Sequence, residues 1–208
     1  MRKGREPTDL KKWSAETARE HEMSCLTGNI AATFIRIGIA ETETVKKAID
    51  WLARVQFTDG GWKCPFWKAH IRDKHSCFMG TACAAEALAL YTARTRSHQE
   101  ALDRACEFLL MHRLFRADHH NFQVIKPGWL EIFYPWRVGY NLLRRLYILA
   151  LAGRVDQRAD EAINLLASKR RPDGFWLSES RGVGLEKKGE PSLWVTLKAT
   201  ETLWRIGI

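Results

Sequence analysis

No apolar run in this chain approaches the ~18 residues that a membrane-spanning helix requires. The start, Met1-Arg-Lys-Gly-Arg-Glu-Pro7, is charged and has no apolar stretch behind it, so it does not read as a secretory leader. Cytoplasmic placement is the expectation. Cysteine is sparse and odd in number, at positions 25, 64, 77, 83 and 106, which in a reducing compartment disfavours a disulfide framework. Acidic residues are in the minority, 24 against 33 Lys and Arg, and the excess of +9 suits an anionic partner or substrate. No dense basic block with interleaved aromatics accompanies that excess, so nucleic acid is not the expected partner. What remains has the composition of a globular domain large enough to bury a core.

What the chain does contain is a phrase written twice. Gln56-Phe-Thr-Asp59-Gly60-Gly61-Trp62 returns as Arg170-Arg-Pro-Asp173-Gly174-Phe175-Trp176, 114 residues later from Asp to Asp. Half that interval, about 57 residues, is a repeat length typical of stacked helical hairpins. The Asp accepts local backbone N–H groups, the Gly supplies a positive φ, and the Trp plugs the gap between neighbouring hairpins. The phrase therefore reads as a structural joint.

Hairpins fit around it. A polar helix is expected over Pro7–Glu22, making residues 1–23 an N-terminal extension to a repeat domain over 24–208. A helix opens at Cys25 and stops at Gly38. A second, about Thr42 to Gln56, places Val45, Ile49, Leu52 and Ala53 on one face. The next unit opens at Ser76-Cys77-Phe78, with Ala84, Leu88 and Tyr91 on one stripe. Ser97, with Glu100 three residues on, has the spacing of a capping box, and its helix runs to about His112. An irregular, aromatic-rich stretch follows from Phe115 to Pro135, too long to be idle in a compact domain. The third unit is Arg137 to Gly153 and Asp156 to Lys169. A last helix runs from Ser192 to Arg205. The fold class is all-α.

Paired helices separated by Gln-x-x-Asp-Gly-x-Trp phrases resemble the terpenoid cyclase and protein prenyltransferase superfamily over residues 24–207, with a weaker trace at Phe115 to Trp129. The set Cys25-Leu-Thr-Gly-Asn29, Gly61-Trp-Lys-Cys64 and Ser76-Cys77-Phe78 is similar to a prokaryotic squalene-cyclase-like group without a settled activity. The resemblance implies an α/α toroid whose inner helices ring a cavity for an isoprenoid or another elongated apolar substrate. Two family features are missing: the Asp-x-Asp-Asp acid of cyclases that protonate their substrate, and the Asp-x-Cys zinc pair of prenyltransferases. The chain supplies about three and a half hairpins where a closed toroid uses five to seven, so a homo-oligomer or an upstream partner segment is expected to complete it.

Two groups of residues can carry chemistry. Cys25, Cys64, Cys77 and His112 are a candidate zinc set gathered at one rim, with His75 or His70 as substitutes for His112; the alternative is that they are core residues, as Cys83 and Cys106 are expected to be. Arg113, Trp129, Trp136, Arg137, Tyr140 and Arg144 are the candidate substrate-binding set. Their aromatic faces would hold an isoprenoid tail and their guanidinium groups a diphosphate. Arg137, Tyr140 and Arg144 fall at i, i+3 and i+7, the spacing of one helical face. The alternative makes these aromatics core plugs and the arginines solvated. Asp118, His119 and His120 invite an acid–base reading beside that of an exposed loop. Glu131 and Glu86 are each either a buried neutral acid or half of a salt bridge, and Lys198 and Thr196 are placed to face a cavity. A catalytic protein of the superfamily and a non-catalytic hairpin-repeat module are the two functions left in play.

Overall fold

The structure is a computed structural model that describes residues 23–63, 75–136, 139–180 and 186–208. The expected helix over Pro7–Glu22, together with Cys64, His70 and Arg137, lies outside those residues. The described chain is predominantly helical, and no helix in it is long and apolar enough to cross a membrane. The helices are α1 (Ser24–Arg36), α2 (Glu43–Arg54), α3 (Phe78–Leu90), α4 (Arg96–Met111), α5 (Leu142–Ala152), α6 (Asp160–Ser168) and α7 (Leu193–Arg205). Two-residue strands β1 (Trp176–Leu177) and β2 (Pro191–Ser192) pair antiparallel, a feature the helical pattern did not announce.

The helices form two layers. One row runs α1, α3, α5, α7, each packed on the next; α2, α4 and α6 pack behind α1, α3 and α5 as the second members of their hairpins. The closest approach in the row is α1 on α3, where a Cβ on Gly28 would lie 2.4 Å from the Cys83 carbonyl oxygen. Only glycine lets two helix backbones meet so closely. α3 is buried on every side from Gly80 to Ala89, with α1 and α5 flanking it and α4 behind. The expected stripe of Ala84, Leu88 and Tyr91 is buried, within a helix that is enclosed all round. On α2 the expected face holds, with Val45, Ile49 and Leu52 buried.

The repeated phrase is one joint built twice. Gly60 and Gly174 take φ of +91° and +88°. Asp59 Oδ1 accepts from Gly61 N at 3.0 Å, and Asp173 Oδ1 from Phe175 N at 3.1 Å. Trp62 Nε1 donates to Leu52 O at 2.8 Å, and Trp176 Nε1 to Leu166 O at 2.7 Å. Each Trp backbone N–H then reaches a threonine hydroxyl on the following row helix, Thr81 at 3.1 Å or Thr196 at 3.0 Å. The Trp thereby ties the second helix of its hairpin to the first helix of the next. Thr196 is occupied in this role and not in a cavity. Among the described residues the first copy alone adds such contacts, from Asp59 to Ser76, 2.7 Å to its N–H and 2.6 Å to its hydroxyl.

Two boundaries move. Thr95, not Ser97, caps α4: its hydroxyl accepts from His98 N, and His98 Nδ1 accepts from Thr95 N at 3.2 Å. His98 is buried against Asp50, Nε2 to Oδ1 2.7 Å, and that anchorage selects the earlier cap. Asn141 caps α5 through Arg144 N at 2.8 Å, so Tyr140 precedes the helix and the expected helical face of Arg137, Tyr140 and Arg144 does not form.

Candidate functional site

The residues singled out in the sequence separate into two places. One is a cleft of about 240 Å³ on the row of first helices, lined by Asn29, Thr33, Arg36, Glu86, Tyr134, Pro135, Trp136 and Arg144. At its floor Glu86, 1% exposed, lies between two guanidinium groups. Arg144 donates from Nε to Glu86 Oε2 at 2.7 Å, from an Nη to Asn29 Oδ1 at 2.6 Å and to Gly139 O at 3.2 Å. Arg36 bonds to Glu86 Oε1 from the other side, and its side chain is 31% exposed. Burial alone would raise the Glu86 carboxyl, but the charges of Arg144 and then Arg36 outweigh it and hold the pKa below the usual range. Burial likewise opposes charge on Arg144 and Arg36, and Glu86 more than restores it, leaving both raised. Of the two readings of Glu86, the structure takes the salt bridge. An ionised carboxylate is not a proton donor.

An aromatic wall borders this cleft. Tyr134 meets Trp136 edge-on at 5.2 Å and stacks on Trp194 at 5.9 Å, and Trp136 packs on Tyr147 at 5.2 Å. The indole N–H of Trp136 is sealed and has no hydrogen-bond partner among the described residues, in a side chain that is itself buried. Leaving such a donor unmet costs about 1–3 kcal/mol. Beyond Tyr147, Lys198 donates to its hydroxyl at 3.3 Å and to Glu201 at 2.8 Å. Burial would lower Lys198, but Glu201 and Tyr147 hold it raised.

The second place is at the N-terminus of α3 and the C-terminus of α4. A cleft of about 360 Å³ is lined there by His75, Cys77, Phe78, Met79, His112, Asp118, His119, His120, Ile125, Lys126 and Trp129, among others. Trp129 and Tyr140, expected to hold substrate, pack here at 4.3 Å and enclose Phe78. Beneath them lies Arg145, to which the sequence pattern drew no attention. It is fully buried, donates to Asn141 O at 2.8 Å and to the Leu114 and Trp129 carbonyls, and rests 4.0 Å from the Tyr140 ring centroid. Burial lowers its pKa to about 10 and raises that of Tyr140. Arg145 thus ties the 115–135 stretch to α5, and that stretch is ordered, with a 3₁₀ turn at Pro127–Leu130 and a bridge between Arg116 and Val124. Two consecutive arginines at the start of a helix gave no sign that they serve different sites. Arg113 is exposed, in a left-handed turn over the Phe122 ring at 4.3 Å. Glu131 is half-buried, with no salt bridge to Arg144.

Of the candidate zinc set, Cys77 caps α3, Cys25 is the second residue of α1 and half-buried, and His112 caps the end of α4. Cys25 lies within electrostatic reach of Cys83, two turns into α3 from Cys77. Among the described residues no three His, Cys, Asp or Glu side chains gather to hold a metal ion, so the described part of the set does not make a zinc site without Cys64. Cys83 and Cys106 are buried, their thiols pushed up to about 11 and about 12 by burial, as core cysteines should be. No protein-family model and no curated protein sequence matches the chain.

Proposed function

We propose that this protein binds an elongated apolar molecule with an anionic head along the row of first helices. An isoprenoid diphosphate is the class implied by the resemblance to the terpenoid cyclase and prenyltransferase superfamily, in which the row would be part of an α/α toroid. The observation that carries the reading is the partly exposed Arg36 guanidinium in a cleft lined by Tyr134 and Trp136. An accessible cation beside aromatic rings suits an anionic acceptor group. Exposed Trp194 and half-buried Tyr134, backed by the buried Trp136 and Tyr147, offer π-faces for an apolar tail.

Binding is favoured over cyclisation by protonation, because Glu86, the fully buried carboxylate of the cleft, is ionised. The helices at the ends of the row expose apolar side chains, Leu26, Ile30 and Ile37 around α1 and Leu193, Leu197, Trp204 and Ile208 around α7. They support completion of the array by a second copy, which a sizing measurement tests. For the ligand, thermal shift with farnesyl diphosphate, farnesol and pyrophosphate is the test. A ligand at 100 times its Kd stabilises by about 2.7 kcal/mol. The diphosphate should shift the wild type more than either part alone, and Arg36→Gln should weaken it at least ~10-fold, the loss of one charge-assisted contact. No shift with any of the three overturns the reading.

A further inference from the structure

α7 is enclosed on one side only. It packs on α5, and Val195, Ala199, Thr202 and Leu203 are its buried residues. The other face is open: Leu193, Leu197 and Trp204 are 72%, 55% and 73% exposed. With the exposed Thr200 they recur at i, i+4, i+7 and i+11, one stripe of a helix. The charged residues of α7 stay off that stripe. Glu201 accepts from Lys198 at 2.8 Å, from Arg205 at 3.1 Å and from the Tyr147 hydroxyl of α5 at 3.2 Å, which holds all three charges on the flank toward α5. Past the helix, Gly207 N donates to Trp204 O at 3.1 Å and Ile208 N to Leu203 O at 3.0 Å, a turn that keeps Ile208, also exposed, at the helix end.

The spacing of the apolar positions is two-fold symmetric. Leu197 and Leu193 stand three and seven residues before Thr200, and Trp204 and Ile208 stand three and seven after Glu201. Read from either end, the helix presents the same order: apolar, apolar, small or polar centre, apolar, apolar. An antiparallel copy of the same helix therefore matches it position for position. The row joint between α1 and α3 is of another kind, a close contact made through Gly28 with Ala31 and Ala32 buried beside it. A stripe of two leucines and a tryptophan cannot repeat that close joint, which disfavours α1 of another copy as its occupant. We propose that α7 is a homodimer interface, on which α7 of a second copy packs antiparallel about a two-fold axis beside Thr200.

In that arrangement Leu197 lies over Trp204 of the partner subunit and Leu193 over Ile208 of the partner subunit, with the short Thr200 side chains at the crossing. A two-fold contact is complete with two copies and leaves no open end. Its centre is apolar, aromatic and free of charge, the composition of homodimer cores. Each chain carries +9, so charge opposes the association and the stripe must drive it; added salt screens the repulsion and does not weaken the pair. Trp194, 47% exposed, borders the stripe and stacks on Tyr134 of the ligand cleft, so the interface is continuous with that aromatic wall. The interface specifies the second copy invoked for the ends of the row, and it stands whether or not the cleft takes an isoprenoid diphosphate.

The test is sedimentation of the full chain at micromolar concentration, in low and high salt. The expected result is a species of twice the 24.0 kDa chain mass in both. Leu197→Glu should weaken the dimer by at least ~30-fold, the effect of one central interface residue. Leu197 is already exposed in the single chain, so the variant keeps its fold, which circular dichroism checks. Arg36→Gln lies off the stripe and should leave the dimer intact, which separates this interface from ligand binding in the cleft. Thr200→Cys treated with a short bismaleimide should join to itself across the axis, and peptide mapping reads that link without any disruptive variant. A monomer overturns both this interface and the second copy. A dimer that survives Leu197→Glu, or a link from Thr200→Cys to Ile30→Cys in a mixture of the two, keeps the second copy and overturns the α7 pairing.

Discussion

Replacing Glu86 with glutamine would expose how much of this fold rests on one carboxylate. Glu86 lies in the middle of α3, 1% exposed, and accepts from Arg144 at 2.7 and 2.6 Å while Arg36 closes on its other oxygen. The amide would keep the shape of the side chain and remove its charge. Arg144, whose side chain is 2% exposed, would be left buried among neutral acceptors such as Asn29 and the Gly139 carbonyl. Breaking a buried pair from one side costs about 3–5 kcal/mol, which in a domain of this size lowers Tm by roughly 6–20 °C. Arg36→Gln should cost about 1 kcal/mol or less, because that side chain already reaches solvent. Replacing both buried partners, as Glu86→Leu with Arg144→Met, should recover most of the loss, since the desolvation of both charges disappears together.

The pH dependence fixes the sign. The folded pKa of Glu86 is depressed below its ordinary 4.5, so its contribution is fully present above about pH 4.5 and is lost as pH falls through the lower, folded value. The stability gap between wild type and Glu86→Gln should therefore be widest at neutral pH and narrow in acid. Urea unfolding followed by circular dichroism, at neutral pH and near pH 3.5, reads both quantities. A loss below about 1 kcal/mol at neutral pH, or a gap that widens in acid, would refute the reasoning, because one buried charge cannot then be holding the other.

The two copies of the repeated phrase should differ in worth. Asp59→Ala removes three contacts, to Gly61 N, Ser76 N and the Ser76 hydroxyl, and should cost about 2–3 kcal/mol, whereas Asp173→Ala, at an exposed turn with one such backbone contact, should move the midpoint of a denaturant melt less. Gly28→Ala drives a methyl to 2.4 Å from the Cys83 carbonyl and should destabilise by about 1–3 kcal/mol; an unchanged midpoint would mean α1 and α3 are not in contact there. Metal analysis of purified protein addresses the zinc expectation: a content below about 0.1 per chain, unchanged by Cys64→Ser, removes it, since structural sites bind zinc tightly enough to retain it.

What could be read from the sequence was whatever local geometry enforces. The Asp-Gly turn needs a positive φ and an acceptor two residues before a donor, so its two copies form the same bonds 114 residues apart, and the hairpins around them end within a few residues of where glycine requires. Charge partnership was hidden because it is set by register. Arg144 and Arg145 are adjacent in sequence, and once Asn141 starts α5 they turn about 100° apart, one toward Glu86 and Asn29, the other toward the Leu114 and Trp129 carbonyls. A helix start at Arg137 would put Tyr140 on the face of Arg144; the observed start puts Tyr140 over Arg145 instead. Glu86 is 58 residues from Arg144 and sits in a helix apolar on all sides, where no periodicity marks the direction of a single carboxylate. His112 was visible as a histidine at a helix end, but its tautomer depends on Arg116 O and Asp118 curling back beneath it. That curl uses left-handed backbone at Arg113 and Leu114, residues with no bias toward it, so tertiary packing of Leu114 and Phe115 in the core must impose it. The residues that distinguish this chain from a plain hairpin array are thus held where long-range packing overrides local preference.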